Sequence, residues 1–265
     1  MLLVGSDPEA FVRSFSGRLV NAIGVIPGTK DNPHPTENGS IQHDNILAEF
    51  NSKPASTVDE FINNHKLIIK DLEDIIKPLG LKLDFVASAM AEDALLSESP
   101  LSRIAGCEPD FDAWSNTINT PADYMFNNMR AAGGHLHISF DCDTLDDRRD
   151  FIRALDLVLG VPSVILDPDQ DRRKFYGRAG SFRPKFKSSN DPYNGAEYRT
   201  LSNFWLKSED LMRFVWSGVE TVNNNIKELN DLALSLKQDI LDIINNGKQE
   251  EAMILCDKFG VTYAC

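Results

Sequence analysis

The stretch Gly133-Gly134-His135-Leu136-His137-Ile138-Ser139-Phe140 alternates polar and apolar residues behind a pair of glycines. That is the period of a strand, with His135 and His137 on one face and Leu136, Ile138 and Phe140 on the other. Two imidazoles side by side are costly to bury without partners, so their face either meets solvent or carries a cation. Alone, an H-x-H pair reads as two half-exposed histidines on a sheet. Here the device recurs: Asp7 and Glu9, Glu49 and Asn51, and Glu197 and Arg199 each stand at i and i+2 in strand-like stretches. If these strands are neighbours, one sheet face carries several carboxylates, two imidazoles, an amide and a guanidinium. Such a face cannot be packed under a helix, because desolvating those charges costs more than packing contributes. The chain is therefore predicted to be α+β: an antiparallel sheet, helices mostly on one face, and a solvent-filled cleft on the other.

The remaining periodicities fill in that frame. Residues 2–13 and 18–26 read as the strands of a hairpin, 27–39 as a Pro- and Gly-rich loop, and 41–52 as a returning strand. Ser56-Thr57 followed by Asp59-Glu60 is a capping-box pattern that opens a helix, which Pro78 and Gly80 end. Residues 81–89 alternate as a strand, 92–120 are irregular, and Pro121 suits the first turn of a helix reaching Arg130. An amphipathic helix is expected over 146–166, a polar Arg-rich loop over 167–194 and a strand over 196–206. Ser208 caps a long helix, and further helical segments lie near 232–245 and 248–258. There is no internal repeat and no clear linker. The expectation is a single domain over residues 1–265, with sheet and cleft mainly in 1–206 and a helical part over 208–265.

A net charge of −13 argues against general nucleic-acid binding, since bulk charge cannot track a phosphate backbone. Within that acidic chain, residues 171–187 concentrate Arg172, Arg173, Lys174, Arg178, Arg183 and Lys185. Guanidinium forks suit phosphate oxygens. Arg178 and Arg183, set among Gly177, Gly180 and Ser181, are read that way; Arg172, Arg173 and Lys174 fit a solvated loop equally well. Clustered carboxylates need cations to relieve their repulsion, and carboxylates with a few imidazoles suit Mg²⁺ or Mn²⁺ better than structural zinc. Carboxylates for metals, arginines for phosphates and no evident nucleophile are the parts of an ATP site for phosphoryl transfer. It is neither a P-loop nor a Rossmann site, because the chain has no G-x-x-x-x-G-K-[ST] and no G-x-G-x-x-G. Lys30 reads as a carboxylate or phosphate ligand or as an exposed loop lysine, His43 as a strand-end residue, and His65 as structural. Cys107, Cys142, Cys256 and Cys265 lack C-x-x-C spacing and read as reduced thiols. No signal peptide, no membrane span and a cytoplasmic location are expected.

Taken in order, these motifs resemble the glutamine-synthetase-like carboxylate–amine ligases, most of all the phage-encoded type 2 branch. Ser6-Asp7-Pro8-Glu9-Ala10-Phe11 is similar to that family's E-x-E-F strand, Asp44 to Asn51 to its next ligand strand, and Gly134 to Ser139 to its G-x-H-x-H-x-S strand. Tyr176 to Arg183 resembles the phosphate-contacting arginine loop and Glu197-Tyr198-Arg199 the E-x-R strand. Gly106-Cys107-Glu108-Pro109-Asp110 resembles a loop near the acceptor side. The resemblance implies a glutamine-synthetase-type catalytic domain, a curved antiparallel sheet with helices on its convex face. It implies ATP and Mg²⁺ or Mn²⁺ as cofactors, with metal on Asp7, Glu9, Asp44, Glu49, His135 and Glu197. His137, Arg178, Arg183 and Lys30 would bind nucleotide, and Arg178, Arg183 and Arg199 would act on the phosphoryl group in transfer. The implied reaction joins a carboxylate to an amine through an acyl phosphate, with small-molecule or peptide substrates, no membrane partner and a possible homo-oligomer. Two other readings remain open on the residues alone. One is a metal-dependent amidohydrolase, which would draw further histidines from His34, His43 and His65. The other is a non-catalytic module that binds an anionic ligand.

Overall fold

The computed structural model describes residues 1–103, 110–119, 128–188 and 193–263. Its strands form two six-stranded sheets and one short pair, all antiparallel where they pair. The strands are β1 (Leu3–Ser6), β2 (Glu9–Ser14), β3 (Leu19–Val20), β4 (His34–Thr36), β5 (Gly39–Asp44), β6 (Leu47–Ser52), β7 (Leu81–Asp84), β8 (Ser88–Met90), β9 (Phe111–Asp112), β10 (Thr117–Ile118), β11 (Met129–Ala131), β12 (Leu136–Ser139), β13 (Ser181–Lys185) and β14 (Gly195–Tyr198). The first sheet runs β1-β12-β14-β13-β9-β10; the second runs β3-β2-β6-β5-β4, with β7 also on β2. They meet at Asp7-Pro8, where the chain leaves β1 of one sheet for β2 of the other, and a bridge from Val4 to Ala55 ties β1 to the segment after β6. Glu9 N donates to Gly133 O (2.9 Å), so the diglycine before β12 lies against the same corner.

Helices cover the apolar faces. α1 (Val58–Ile76) begins at Thr57, whose side chain accepts from Glu60 N, and buries Phe61, Ile62, His65, Ile68, Leu72 and Ile76. Each fully buried aliphatic or aromatic side chain on that stripe contributes about 1.5–3 kcal/mol. α3 (Leu145–Leu155) carries a complete Thr144–Asp147 capping box and packs on α5 (Glu209–Ser235) and on β13 and β14. Between α3 and α4 (Val161–Leu166) the helix widens into a π turn over Asp156–Gly160. A short α2 (Asp93–Leu96), then α6 (Lys237–Asn246) and α7 (Gln249–Phe259), complete the helices. Leu136, Ile138, Ala196 and Tyr198 point into the core, which leaves His137 and Glu197 to the opposite face.

The α+β class and the helical C-terminus are as expected, and several elements differ. The strand read over 2–13 is two strands, because Pro8 has no N–H to continue a ladder. The strand read over 41–52 is the β5–β6 hairpin, turned at Asn45 with φ 53°. The stretch 18–26 keeps only β3, 81–89 divides into β7 and β8, and 196–206 ends at Tyr198 before a 3-10 turn over Asn203–Lys207. The loop 167–194 contains β13. Most of the helix read over 121–130 lies outside the described residues, and its end is β11. Cys107 and Cys265 also lie outside them, whereas Cys142 and Cys256 are free and buried. Among the described residues no helix is long and apolar enough to cross a membrane.

Candidate active site

Two groups of possible metal ligands flank the Asp7-Pro8 corner. Asp7, His135 and Glu197 bring one donor atom each to within 4.8 Å of one another. His135 Nδ1 is 3.7 Å from Asp7 Oδ1 and 3.8 Å from Glu197 Oε1, and His137 Nε2 is 3.0 Å from Asp7 Oδ1. Yet neither that oxygen nor His137 Nε2 makes a well-directed hydrogen bond. Burial works against the Asp7 carboxylate, but His137, then His135 and Arg199, outweigh it and hold its pKa well below the usual carboxylate range. Burial, with Arg199 beside it, pushes His135 well below an ordinary imidazole. Burial also opposes a charge on His137, but Asp7 prevails and raises it. The result is an anionic Asp7 beside a neutral His135, the protonation states a metal ligand needs.

Glu9, Asp44 and Glu49 form the second group, again within 4.8 Å. Glu9 and Glu49 stand directly opposite each other on β2 and β6, and Gln42 of β5 faces Glu49. Like charges in that register repel. Burial, then Asp44, push Glu9 up to about 7 against the pull of Gly133 N–H, which donates to Glu9 Oε2 at 2.6 Å. Glu49 is raised well above its ordinary value by burial, then by Asp7, Glu9 and Asp44. Asp44 is raised by burial, with Lys30 and His43 opposing. Three crowded carboxyl groups beside an anionic Asp7 fit hard divalent cations.

The cationic side of the cleft is built on β13 and β14. Arg199 Nε donates to Asp110 Oδ2 at 3.1 Å, and its Nη1 pairs with Glu197 and lies 3.4 Å from His135 Nδ1. Arg183 Nη1 is 3.6 Å from Glu197 Oε1. Arg172 and Arg173 are not solvated, contrary to one of their two readings. Arg172 is buried under the site, donating to Thr200 O (2.9 Å) and Arg199 O (3.3 Å), and its charge acts on Glu9 and His135. Arg173 is buried against Gln170 and Ser163. Lys174 is exposed and pairs with Asp171. Arg178 is exposed, and its carbonyl accepts from Ser181 N. Lys30 is exposed, with its charge felt at Asp44. Beside His137 opens a cavity of about 280 Å³, lined in part by Asn51, Ser139, Lys185, Tyr193 and Asn194.

The diglycine is a steric requirement of this arrangement. A Cβ on Gly133 would meet the His135 ring, and one on Gly134 would strike Ser202 O and the Trp205 indole. The other histidines belong to neither group, although His43 adjoins Asp44 and its charge is felt there. His34 is exposed on β4, His43 pairs opposite Ala48, and His65 is buried against Ser6, Phe61 and Trp205. Asp7 and Glu9 fall in different ligand groups, because the corner between them sends one to each. Asp110 gave no sequence signal beyond a weak loop likeness. Asp156 was not singled out, since a lone carboxylate between Leu155 and Leu157 fits the polar side of an amphipathic helix.

No curated protein matches the chain in sequence. Solved structures similar to it include GmaS in an ADP complex, at 11% identity over 97% of this chain and 68% of that one, with a TM-score of 0.41. GmaS without ligand shares 11% identity over 99% and 70%, with a TM-score of 0.45. A glutamine synthetase of Plasmodium falciparum shares 10% over 83% and 52%, with a TM-score of 0.41. The profile of one protein family, described as phage phiEco32-like COOH.NH2 ligase-type 2, matches residues 116–254, more than half of the 265-residue chain. The chain thus belongs to the phage phiEco32-like COOH.NH2 ligase-type 2 family, a family of carboxylate–amine ligases.

Proposed function

We propose that this protein is an ATP-dependent carboxylate–amine ligase that forms an amide through an acyl phosphate at the β1–β2 corner. The observation that carries the reading is the juxtaposition of two three-residue ligand groups with Arg183 and Arg199, which converge on Glu197. Asp7, His135 and Glu197 would hold one divalent cation and Glu9, Asp44 and Glu49 another. Cations bound there supply Lewis acidity and a template for phosphate oxygens. His137 faces both Asp7 and the 280 Å³ cavity, which suits it to a nucleotide phosphate while Ser139, Lys185 and Asn194 line the space for the nucleoside. Arg178, Arg183 and Arg199 neutralise the γ-phosphoryl as it passes to the substrate carboxylate. An amine then attacks the acyl carbon, phosphate leaves, and the amine proton passes to solvent or to phosphate. Lys30, whose charge is felt at Asp44, would meet an anionic substrate group.

The test is thermal shift with ATP, with and without Mg²⁺ or Mn²⁺, on wild type, Glu49→Ala and Arg199→Ala, followed by ADP release with carboxylate and amine mixtures. A metal-dependent rise in Tm that Glu49→Ala loses supports the site. Full ATP-dependent activity in both variants refutes the residue assignment. A response to metal alone, with none to ATP, returns the hydrolase reading.

A further inference from the structure

Behind β14, on the helix side of the sheet, lies a carboxylate that the reaction above does not use. Asp156 is fully buried at the first residue of the π turn. Its Oδ2 accepts from Trp114 Nε1 (2.7 Å) and Gly180 N (2.6 Å), and its Oδ1 from Tyr198 OH (2.8 Å). Thr200 Oγ1 lies 3.2 Å from Oδ1 and 3.1 Å from Arg178 O, so its one proton serves either acceptor. A carboxylate has about four lone-pair sites; three are taken up by Trp114, Gly180 and Tyr198, and the fourth shares the Thr200 proton with Arg178 O. Every partner is a donor, and these hydrogen bonds favour the acceptor-only carboxylate against the burial that pushes Asp156 up to about 7.

Those partners belong to three segments that each carry a side chain to the cleft. Trp114 lies in the turn after β9, the strand that follows Asp110 and its bond to Arg199. Gly180, at φ +80°, closes the arginine loop just before β13 and Arg183; a Cβ there would strike Asp112 and Trp114. Tyr198 and Thr200 flank Arg199, whose own N donates to Ser181 O at 3.0 Å. A buried carboxylate is poor for stability compared with an apolar residue of similar volume, whereas a satisfied network fixes one arrangement. π turns also tend to mark functional positions.

We propose that Asp156 is a positioning residue. From behind the sheet it sets Gly180, Tyr198 and Thr200, and through them the placement of Arg183 and Arg199 relative to the metal-ligand groups. The inference rests on the phosphate-binding reading of those arginines. It assigns no ligand contact to Asp156 itself.

The experiment compares wild type with Asp156→Asn, which keeps the shape but turns an amide donor toward donors, and with Tyr198→Phe and Thr200→Val. Mn²⁺ affinity is read by calorimetry, affinity for a non-hydrolysable ATP analogue with Mg²⁺ is read in parallel, and amide exchange is followed by mass spectrometry. The expected result for Asp156→Asn is Mn²⁺ affinity within about threefold of wild type and a nucleotide affinity lower by about tenfold or more, as for the loss of electrostatic stabilisers. Exchange should quicken at 180–183 and 199–200 and not in β6. Tyr198→Phe and Thr200→Val should shift the same way by smaller factors. Unchanged nucleotide affinity, or an equal loss of metal and nucleotide, overturns the proposal. If Asp156→Asn does not fold, the two milder variants decide: wild-type nucleotide affinity in both overturns it. If wild type binds Mn²⁺ and no nucleotide, the ligase reading falls; local exchange then decides alone, and uniform or unchanged exchange overturns the positioning role.

Discussion

His65 makes stability depend on pH in a calculable way. Its Nδ1 lies 2.6 Å from Phe61 O, which can only accept, so Nδ1 carries the proton and Nε2 accepts from Ser6 Oγ at 2.5 Å. Phe61 and Trp205 pack on the ring, with centroids at 4.3 and 5.0 Å. Burial lowers its pKa from 6.5 to about 4, opposed by the bond to Phe61. The folded-state value is depressed, so the unfolded chain takes up a proton first as pH falls. Stability is whole above 6.5 and is lost as pH falls toward 4. At 1.36 kcal/mol per pKa unit the full loss is about 3 kcal/mol, and about 2 kcal/mol of it falls between pH 7 and 4.5. For a chain of this size that corresponds to about 4–8 °C in Tm. Glu9, Asp44 and Glu49, with raised values, contribute in the opposite direction. They are common to both proteins in a comparison with His65→Gln and cancel in the difference. The variant should lose about 1–3 kcal/mol at pH 7 from the disrupted Ser6 and Phe61 bonds, and should lose less than wild type on going to pH 4.5. Urea unfolding at pH 7, 5.5 and 4.5 measures this. Parallel pH profiles for the two proteins would falsify the account of a neutral, buried His65.

Glu49→Gln tests the second ligand group. Burial and its neighbours raise the pKa of Glu49, so an uncharged amide there relieves repulsion with Glu9 and Asp44 and the metal-free Tm at pH 7 should not fall by more than about 2 °C. Of the stabilisation that wild type gains from Mn²⁺, the part from this site, about 2.7 kcal/mol at a hundredfold excess over its Kd, should vanish while the part from the Asp7 group remains; an equal rise in both proteins refutes the assignment. In Arg199→Lys a single ammonium replaces a fork that reaches both Asp110 and Glu197, so turnover should fall about a hundredfold or more, and a rate within fivefold of wild type counts against it. Gly134→Ala places a methyl group against Ser202 O and the Trp205 indole, and should lower stability by about 1–3 kcal/mol, read as a lower urea midpoint without loss of secondary structure by circular dichroism.

Helices were the most legible part of the fold, because their signals are local. Thr57 and Ser208 stand where their side chains cap the first turn, and the stripe from Phe61 to Ile76 has helical period. Strand faces were legible for the same reason, and Leu136 and Ile138 are buried where alternation placed them. Strand ends were not. The Asp7-Pro8 corner and the Asn45 turn interrupt stretches whose alternation reads as continuous, since period alone does not say where a chain changes sheet.

The same division runs through the candidate site. Its residue types were fixed by the sequence: carboxylates, imidazoles and guanidinium groups spaced at i and i+2 on strands that are otherwise apolar. Which of them meet was decided only by pairing between segments far apart in the chain. Glu9 faces Glu49 across β2 and β6, His137 faces Glu197 across β12 and β14, and Arg199 reaches back to Asp110. Tertiary structure alone also buried Arg172 beneath the carbonyls of Arg199 and Thr200, and gathered four donors on Asp156. The physical reason is range. Backbone period and capping act over a few residues and are written in neighbouring side chains, whereas charge pairing and the filling of buried hydrogen bonds depend on distances that exist only once the sheets have closed on their helices.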